Sequence, residues 1–331
     1  MSRAVGVLLA LLVVSGFGRP NSVCRGEDPL PMLEKIAVTS SLDKTPQTSL
    51  LWAPETAREQ PTPLLIWLHS WSADYRQEAS LEYQKQAVRR GWILLLPNFR
   101  GPNKRPEACG SKLARTDIID AMNYVEQHYK VDPQRVYLAG ASGGGHMTLL
   151  MAGYYPQRFS AVSAWVGITD LPQWYHFHAP EGKPAGYALD ILSVLKGKPG
   201  ESKEIDADYR ARSPIHFLHQ VGDLHVDIAA GVTDGHTGSV PIAHSLNAFN
   251  RIATTNGDDG VSDDEAEQLW TAQKLTAPQA SDQVTDETYG REILLRRKSG
   301  NARVTIFQGG HEGLPEACCA WLAKQRRATT E

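Results

Sequence analysis

Hydrophobic positions along the chain come in short unbroken runs separated by segments with a three-to-four residue beat. Leu64–His69, Trp92–Pro97, Val136–Ala139, Ala161–Val166, Val226–Ala230 and Val304–Phe307 are apolar at nearly every position. Runs this short and this uniform predict strands buried on both faces. Between them the beat is helical: Ser80–Arg90 with Leu81 and Ala87, Ala114–Tyr129 with Ile118, Ile119, Met122 and Val125, Gly144–Met151, Ser245–Ala253 and Pro315–Arg327. Alternation of this kind predicts an α/β fold, a mainly parallel sheet with helices on both faces. Lys35–Ser40 and Thr48–Trp52 precede it and suit an antiparallel edge pair. Two stretches break the alternation, 171–220 and 254–303. Neither has apolar periodicity enough for a core of its own, so both read as insertions, the first a lid carrying Trp174 and Tyr175. In the second, Ser262 and Glu265 have capping-box spacing, and Arg291–Arg297 with Val304 beyond Gly300 reads as a hairpin.

The chain start carries a different pattern. Val5–Phe17 is apolar, follows Arg3 and ends in small residues. It is short for a membrane span and has the make-up of a secretory signal. We expect residues 1–24 to be that signal, with cleavage after Gly18 or Cys24, and 25–331 to be one domain of an exported protein, secreted or periplasmic, with no stable membrane span once the signal is removed. Export would permit a disulfide between Cys109 and Cys318 or Cys319, whereas small buried packing residues are the plain alternative. Of 331 residues, 34 are Lys or Arg and 37 Asp or Glu, a net charge of −3 that offers no basic field for nucleic acid.

Chemistry enters with Gly140-Ala141-Ser142-Gly143-Gly144, which follows one predicted strand and opens a helix. That context makes a nucleophile elbow: a tight turn that lifts a serine hydroxyl off the sheet and aims the next N–H, here that of Gly143, at a developing oxyanion. A serine hydroxyl needs a base, and the order in such sheets is serine, acid, histidine. Asp234 follows the strand Val226–Ala230, and His311 sits in a glycine-flanked loop after the last strand. Asp227 and Asp223 rival Asp234, while His225 and His236 fall in the wrong place for the base. The second oxyanion donor is expected from His69-Ser70-Trp71-Ser72, at the Trp71 N–H with Ser70 as fallback. Trp174 and Tyr175 are candidates for the substrate pocket, although packing within a lid is the commoner fate of such aromatics. Arg100 and Asp117 suit an ion pair, and His146 a packing or hydrogen-bonding role. His176 and His178 lack a third ligand at suitable spacing, so no metal or cofactor is expected.

Taken with Asn98-Phe99-Arg100-Gly101, Thr116-Asp117, Val131–Val136, Tyr209–Pro214, Gly231–Pro241 and Gly310–Gly313, these residues resemble the catalytic domain of the prolyl oligopeptidase family of α/β-hydrolases, from about Leu64 to Leu322. The resemblance implies a Ser142, Asp234 and His311 triad attacking peptide or ester carbonyls through an acyl-enzyme, most like a serine peptidase. Carboxylic-ester and carbohydrate esterases share that triad, and a non-catalytic binding module is a third reading. Many family members carry a gating β-propeller, and in 331 residues none is expected. Where they often have His-Gly-Gly-Pro this chain has His-Ser-Trp-Ser, and bulk at Trp71 should reshape the acyl pocket. Substrates are expected to be small peptides or esters.

Overall fold

A computed structural model describes residues Pro29–Arg327. The expected signal, and Cys24 with it, lies outside the described residues. From Pro31 onward the chain forms one compact unit. It is built on a nine-stranded sheet in the order β1-β2-β4-β3-β5-β6-β7-β9-β8. The strands are β1 Glu34–Thr39, β2 Pro46–Trp52, β3 Thr62–Leu68, β4 Ile93–Pro97, β5 Val131–Ala141, β6 Ala161–Trp165, β7 His225–Gly231, β8 Ile293–Ser299 and β9 Ala302–Phe307. The six central strands β4, β3, β5, β6, β7 and β9 pair in parallel. The β1–β2 pair and the β8–β9 hairpin are antiparallel, as the sequence pattern predicts, and β2 joins β4 antiparallel.

Each unbroken apolar run is a central strand. Every residue of β3, β4, β6 and β9 is buried, because helices cover both faces of the sheet. The helices are α1 Ser80–Arg90, α2 Lys112–His128, α3 Gly143–Tyr154, α4 Leu171–Phe177, α5 Tyr187–Leu195, α6 Lys203–Arg212, α7 Ala243–Asn256, α8 Asp263–Ala272 and α9 Pro315–Leu322. On α1 the expected inward residue Leu81 faces water at 47% exposure, and the buried face is Tyr83 with Ala87 one turn on. That face wins because the buried Gln84 and Gln86 beside it find hydrogen-bond partners, the Pro31 carbonyl and the Glu316 carboxylate. The helix expected over Pro315–Arg327 stops at Leu322, and the tail then crosses to the start of β5, where the Arg327 N–H donates to the Gln134 carbonyl.

The segment 171–220 departs from expectation. It has a small apolar core of its own, in which Leu171, Trp174, Ile191, Val194 and Tyr209 close around Trp71 and Cys109. The sequence pattern hides it because three short helices and two loops each contribute only a few residues. Cys109, Cys318 and Cys319 are free and buried, so of the two readings the sequence left open the structure shows the packing one and not the disulfide. Cys109 belongs to the lid core, and the adjacent pair, on α9, to the main core. Burial pushes the Cys109 thiol up to about 12 and Cys319 well above the usual range. Arg100 and Asp117 do pair (2.5 Å), and Arg100 also grips Asp43 (2.7 Å) and so ties the β1–β2 turn to α2.

Candidate active site

The carboxyl ends of the parallel strands feed one cleft of about 750 Å³, lined among others by Ser70 and Trp71 after β3, Ser142 after β5, Val166 after β6, and His311 to Gly313 after β9. Ligand sites in open α/β sheets gather at this edge because consecutive crossovers leave the loops there facing one another.

Ser142 is the hinge between β5 and α3. Its backbone stands at φ 57, ψ −120, a region that costs an L-residue about 1–3 kcal/mol. The surroundings enforce that geometry. The Ser142 N–H donates to the Trp165 carbonyl (2.9 Å), and its own carbonyl accepts from His146 N–H (2.9 Å). The flanking glycines are there for closeness. A Cβ on Gly144 would collide with the Leu68 carbonyl, and one on Gly143 with the Trp71 backbone nitrogen. The Gly143 backbone therefore lies directly against that of Trp71. Gly143 is the first residue of α3, so its N–H has no partner inside the helix. The Trp71 N–H has none among the described residues, whereas the Ser70 N–H is committed to Gln77 Oε1 (2.8 Å).

His311 lies at the cleft wall with Asp234 behind it. Asp234 is fully buried, and its Oδ2 accepts from His311 Nδ1 (2.8 Å). Its Oδ1 is held by the Gly235 and Val240 N–H groups (2.9 and 3.1 Å). Because a carboxylate only accepts, the ring carries its proton on Nδ1 and turns the Nε2 lone pair outward. Nε2 is 3.5 Å from Ser239 Oγ, its contact in this structure, with Ser142 on the same cleft. The histidine loop comes this close because Gly231 and Gly309 pack backbone to backbone, where a Cβ on Gly231 would overlap residue 309.

The rival residues are elsewhere. Asp227 is buried inside β7, bound to Arg303 Nε (2.6 Å) and Ser163 Oγ (2.7 Å). Asp223 is exposed in the turn before β7, His225 begins that strand, and His236 stacks on Trp270 at 3.8 Å. Trp174 and Tyr175 do not line the cleft. Trp174 is buried edge-on against Trp71 at 4.7 Å, with Nε1 donating to the Ser239 carbonyl (2.8 Å). The lid turns these aromatics inward because they are its core. Trp71 points its indole into that core, donating to Asp190 Oδ2 (3.2 Å), so its bulk anchors the lid. His146 Nε2 bonds the Arg212 carbonyl (2.7 Å) and is buried, which pushes its pKa down to about 4. His178 donates to the Ser239 carbonyl (2.9 Å) while His176 is exposed, and no cluster of three metal-ligating side chains occurs among the described residues.

Several cleft residues escaped the sequence reading. Tyr187 comes from the lid. Val166 (φ 44) holds a strained conformation rare for a β-branched residue. Trp67 and Tyr83 stack at 3.4 Å along one wall. Glu78, Glu82 and Glu312 line the cleft, and among the described residues no Lys or Arg does. None of these left a local signature in the sequence.

Comparison with known proteins bears on the fold and the family. The Arabidopsis thaliana acylamino-acid-releasing enzyme is 27% identical over 157 residues, 43% of this chain and 20% of that protein. An acetylxylan esterase of Coprinopsis cinerea is 30% identical over 127 residues, 35% of this chain and 34% of that one. The chain thus spans about a third or less of the length of these curated relatives. The solved acylaminoacyl peptidase of Pyrococcus horikoshii shares the fold, with TM-score 0.59 at 16% identity, over 91% of this chain and 42% of its own. Residues 79–261, more than half of the chain, match the prolyl oligopeptidase family, to which this protein, with its α/β-hydrolase fold, belongs.

Proposed function

We propose that Ser142 is the nucleophile, His311 the general base and Asp234 the acid of an acyl-transfer triad, acting on small peptides as a serine peptidase. The observation that carries this reading is the His311–Asp234 bond of 2.8 Å, with the outer Asp234 oxygen fixed by two backbone N–H groups, on the cleft that also holds Ser142. In the proposed reaction His311 Nε2 turns from Ser239 to Ser142 Oγ and takes its proton as Oγ adds to the substrate carbonyl carbon. The carbonyl oxygen becomes the oxyanion, facing the Gly143 and Trp71 N–H groups. Collapse breaks the bond to the leaving amine or alcohol, which receives the proton from Nε2. A water then repeats the sequence, regenerating Ser142 and releasing the acid.

An ester substrate is the second reading, favoured by the cleft lining. Aromatic walls with carboxylates and no cation suit a neutral polyhydroxyl leaving group, and an acetylxylan esterase is among the relatives. Rates measured side by side on proline amides, N-acyl amino acid amides and acetylated xylo-oligosaccharides decide between the two. Amide turnover supports the peptidase, and turnover of esters alone rejects it. A fluorophosphonate probe should label the wild type and fail on Ser142→Ala. Labelling of that variant would remove Ser142 from its role, and an unlabelled wild type would leave only a binding module. Export rests on the Val5–Phe17 pattern; recovery of a shortened chain outside the cytoplasm of the producing cell checks it.

A further inference from the structure

The insertion 254–303 has no part in the triad, yet it touches the loops on either side of it. Its helix α8 begins in a capping box, with Ser262 N–H to Glu265 Oε2 (2.9 Å) and Glu265 N–H to Ser262 Oγ (3.2 Å). The other Glu265 oxygen accepts from Arg297 Nη2 (2.8 Å), and Arg297, buried on β8, also holds Asp282 (2.6 and 2.9 Å). Leu269 is fully buried beneath the helix. So α8, though its outer face is exposed, is bolted to the sheet.

The next residue, Trp270, reaches the acid loop. Its ring lies over Gly235, where a Cβ would stand 2.9 Å from Cζ3 and 2.7 Å from Pro241 Cα. The His236 ring stacks on it at 3.8 Å and 26°, and His236 Nε2 bonds the Trp270 carbonyl (2.9 Å). Gly235 is the residue whose N–H holds Asp234 Oδ1 (2.9 Å). Further round the same loop, a Cβ on Gly238 would collide with Asp234 Oδ1 and come within 2.6 Å of His311 Cβ. A second arm of the insertion meets the histidine loop. Arg291 Nη1 binds Glu312 Oε1 (2.6 Å), which also accepts the Gly310 N–H (3.2 Å), and the Gln308 N–H donates to the Glu292 carbonyl (2.9 Å).

We infer that this insertion is a clamp that sets the geometry between acid and base, and that Trp270 is a positioning residue acting through Gly235 and His236 on Asp234. The inference rests on the triad proposed above. Gly235 has φ +92 and no side chain, and five loop residues separate Asp234 from Val240. Two glycines in five residues leave such a loop more conformational freedom than its own turn bonds, the His236 and Thr237 N–H groups to the Thr233 carbonyl, remove. The flat indole pressed on it and the bond to His236 remove that freedom.

The test is the second-order rate of labelling by a fluorophosphonate probe, which needs no known substrate. Trp270→Ala should slow labelling by roughly 10–100-fold, the range expected when a catalytic group is displaced by about an ångström. Trp270→Phe, which keeps a flat ring on Gly235, should restore most of the rate. In an Asp234→Asn background Trp270→Ala should add no further slowing, because its effect runs through that carboxylate. A Trp270→Ala variant that labels at the wild-type rate overturns the inference. So does a slowing that persists by the same factor without the Asp234 carboxylate, since that is a merely structural role. If Trp270→Ala melts near the assay temperature, Trp270→Leu carries the same comparison. Failure of the triad itself would show differently, as a Ser142→Ala variant that still labels or an Asp234→Asn change that alone costs nothing.

Discussion

Asp227 and Asp234 are seven residues apart on the same strand and its following turn, both buried, and they should fail in opposite ways. Asp227 sits inside β7, bound to Arg303 (2.6 Å) and Ser163 (2.7 Å), with Arg303 itself only 9% exposed. Truncation to Ala leaves a buried guanidinium without its counter-charge, a change that costs about 3–5 kcal/mol. For a domain of roughly 300 residues the unfolding entropy is about 0.6 kcal/mol per degree, so Tm should fall by about 5–8 °C. Fluorophosphonate labelling measured well below that Tm should stay within a few-fold of the wild type, since Asp227 has no contact with His311. Asp234→Asn keeps an oxygen for the Gly235 and Val240 N–H groups and should move Tm little. It presents an amide to His311 Nδ1 and so disfavours the productive tautomer, which should slow labelling by roughly 10⁴-fold. Calorimetry and labelling kinetics on the two variants give four numbers. If Asp227→Ala silences the enzyme at unchanged Tm, or Asp234→Asn leaves labelling intact, the assignment of the acid is wrong.

Other expectations follow from single contacts. Gly144→Ala should abolish labelling and soluble folding together, because its Cβ would meet the Leu68 carbonyl of β3; a soluble, active variant would show that the elbow has slack. His146 and His244 are buried and uncharged, with pKa values pushed down to about 4 and about 3 by burial. Below the unfolded value near 6.5 the unfolded chain binds protons that the folded chain does not, so this contribution is full above pH 6.5 and is lost as pH falls towards 4 and 3. Tm should decline over that window, and His146→Gln should flatten the decline. Cys109, Cys318 and Cys319 should resist an aromatic disulfide reagent in the folded protein and react after unfolding, because all three are buried; rapid reaction of the folded protein would contradict that packing.

Much of the molecule was legible from residue order alone, where the signal is local. Each run buried on both faces has no polar position to spare, so β3, β4, β6 and β9 announce themselves. The elbow is legible because its strain and crowding admit only small neighbours for Ser142. Asp234 and His311 could be chosen because parallel strands deliver their following residues to one edge. What tertiary structure decided was which side chains face which. Trp174 and Tyr175 were open between pocket wall and lid packing, and they are the lid's core, because an isolated trio of short helices must bury its largest rings somewhere. Leu81 faced outward and Tyr83 inward once the neighbouring glutamines found partners. No spacing rule joins Trp270 to Gly235, 35 positions earlier, or Arg291 to Glu312 across a hairpin. The sequence by itself determined the sheet, the order of the chemical groups and the family. Only the folded chain decided how those groups are held, because contacts between loops depend on where whole elements come to rest, and no local pattern records that.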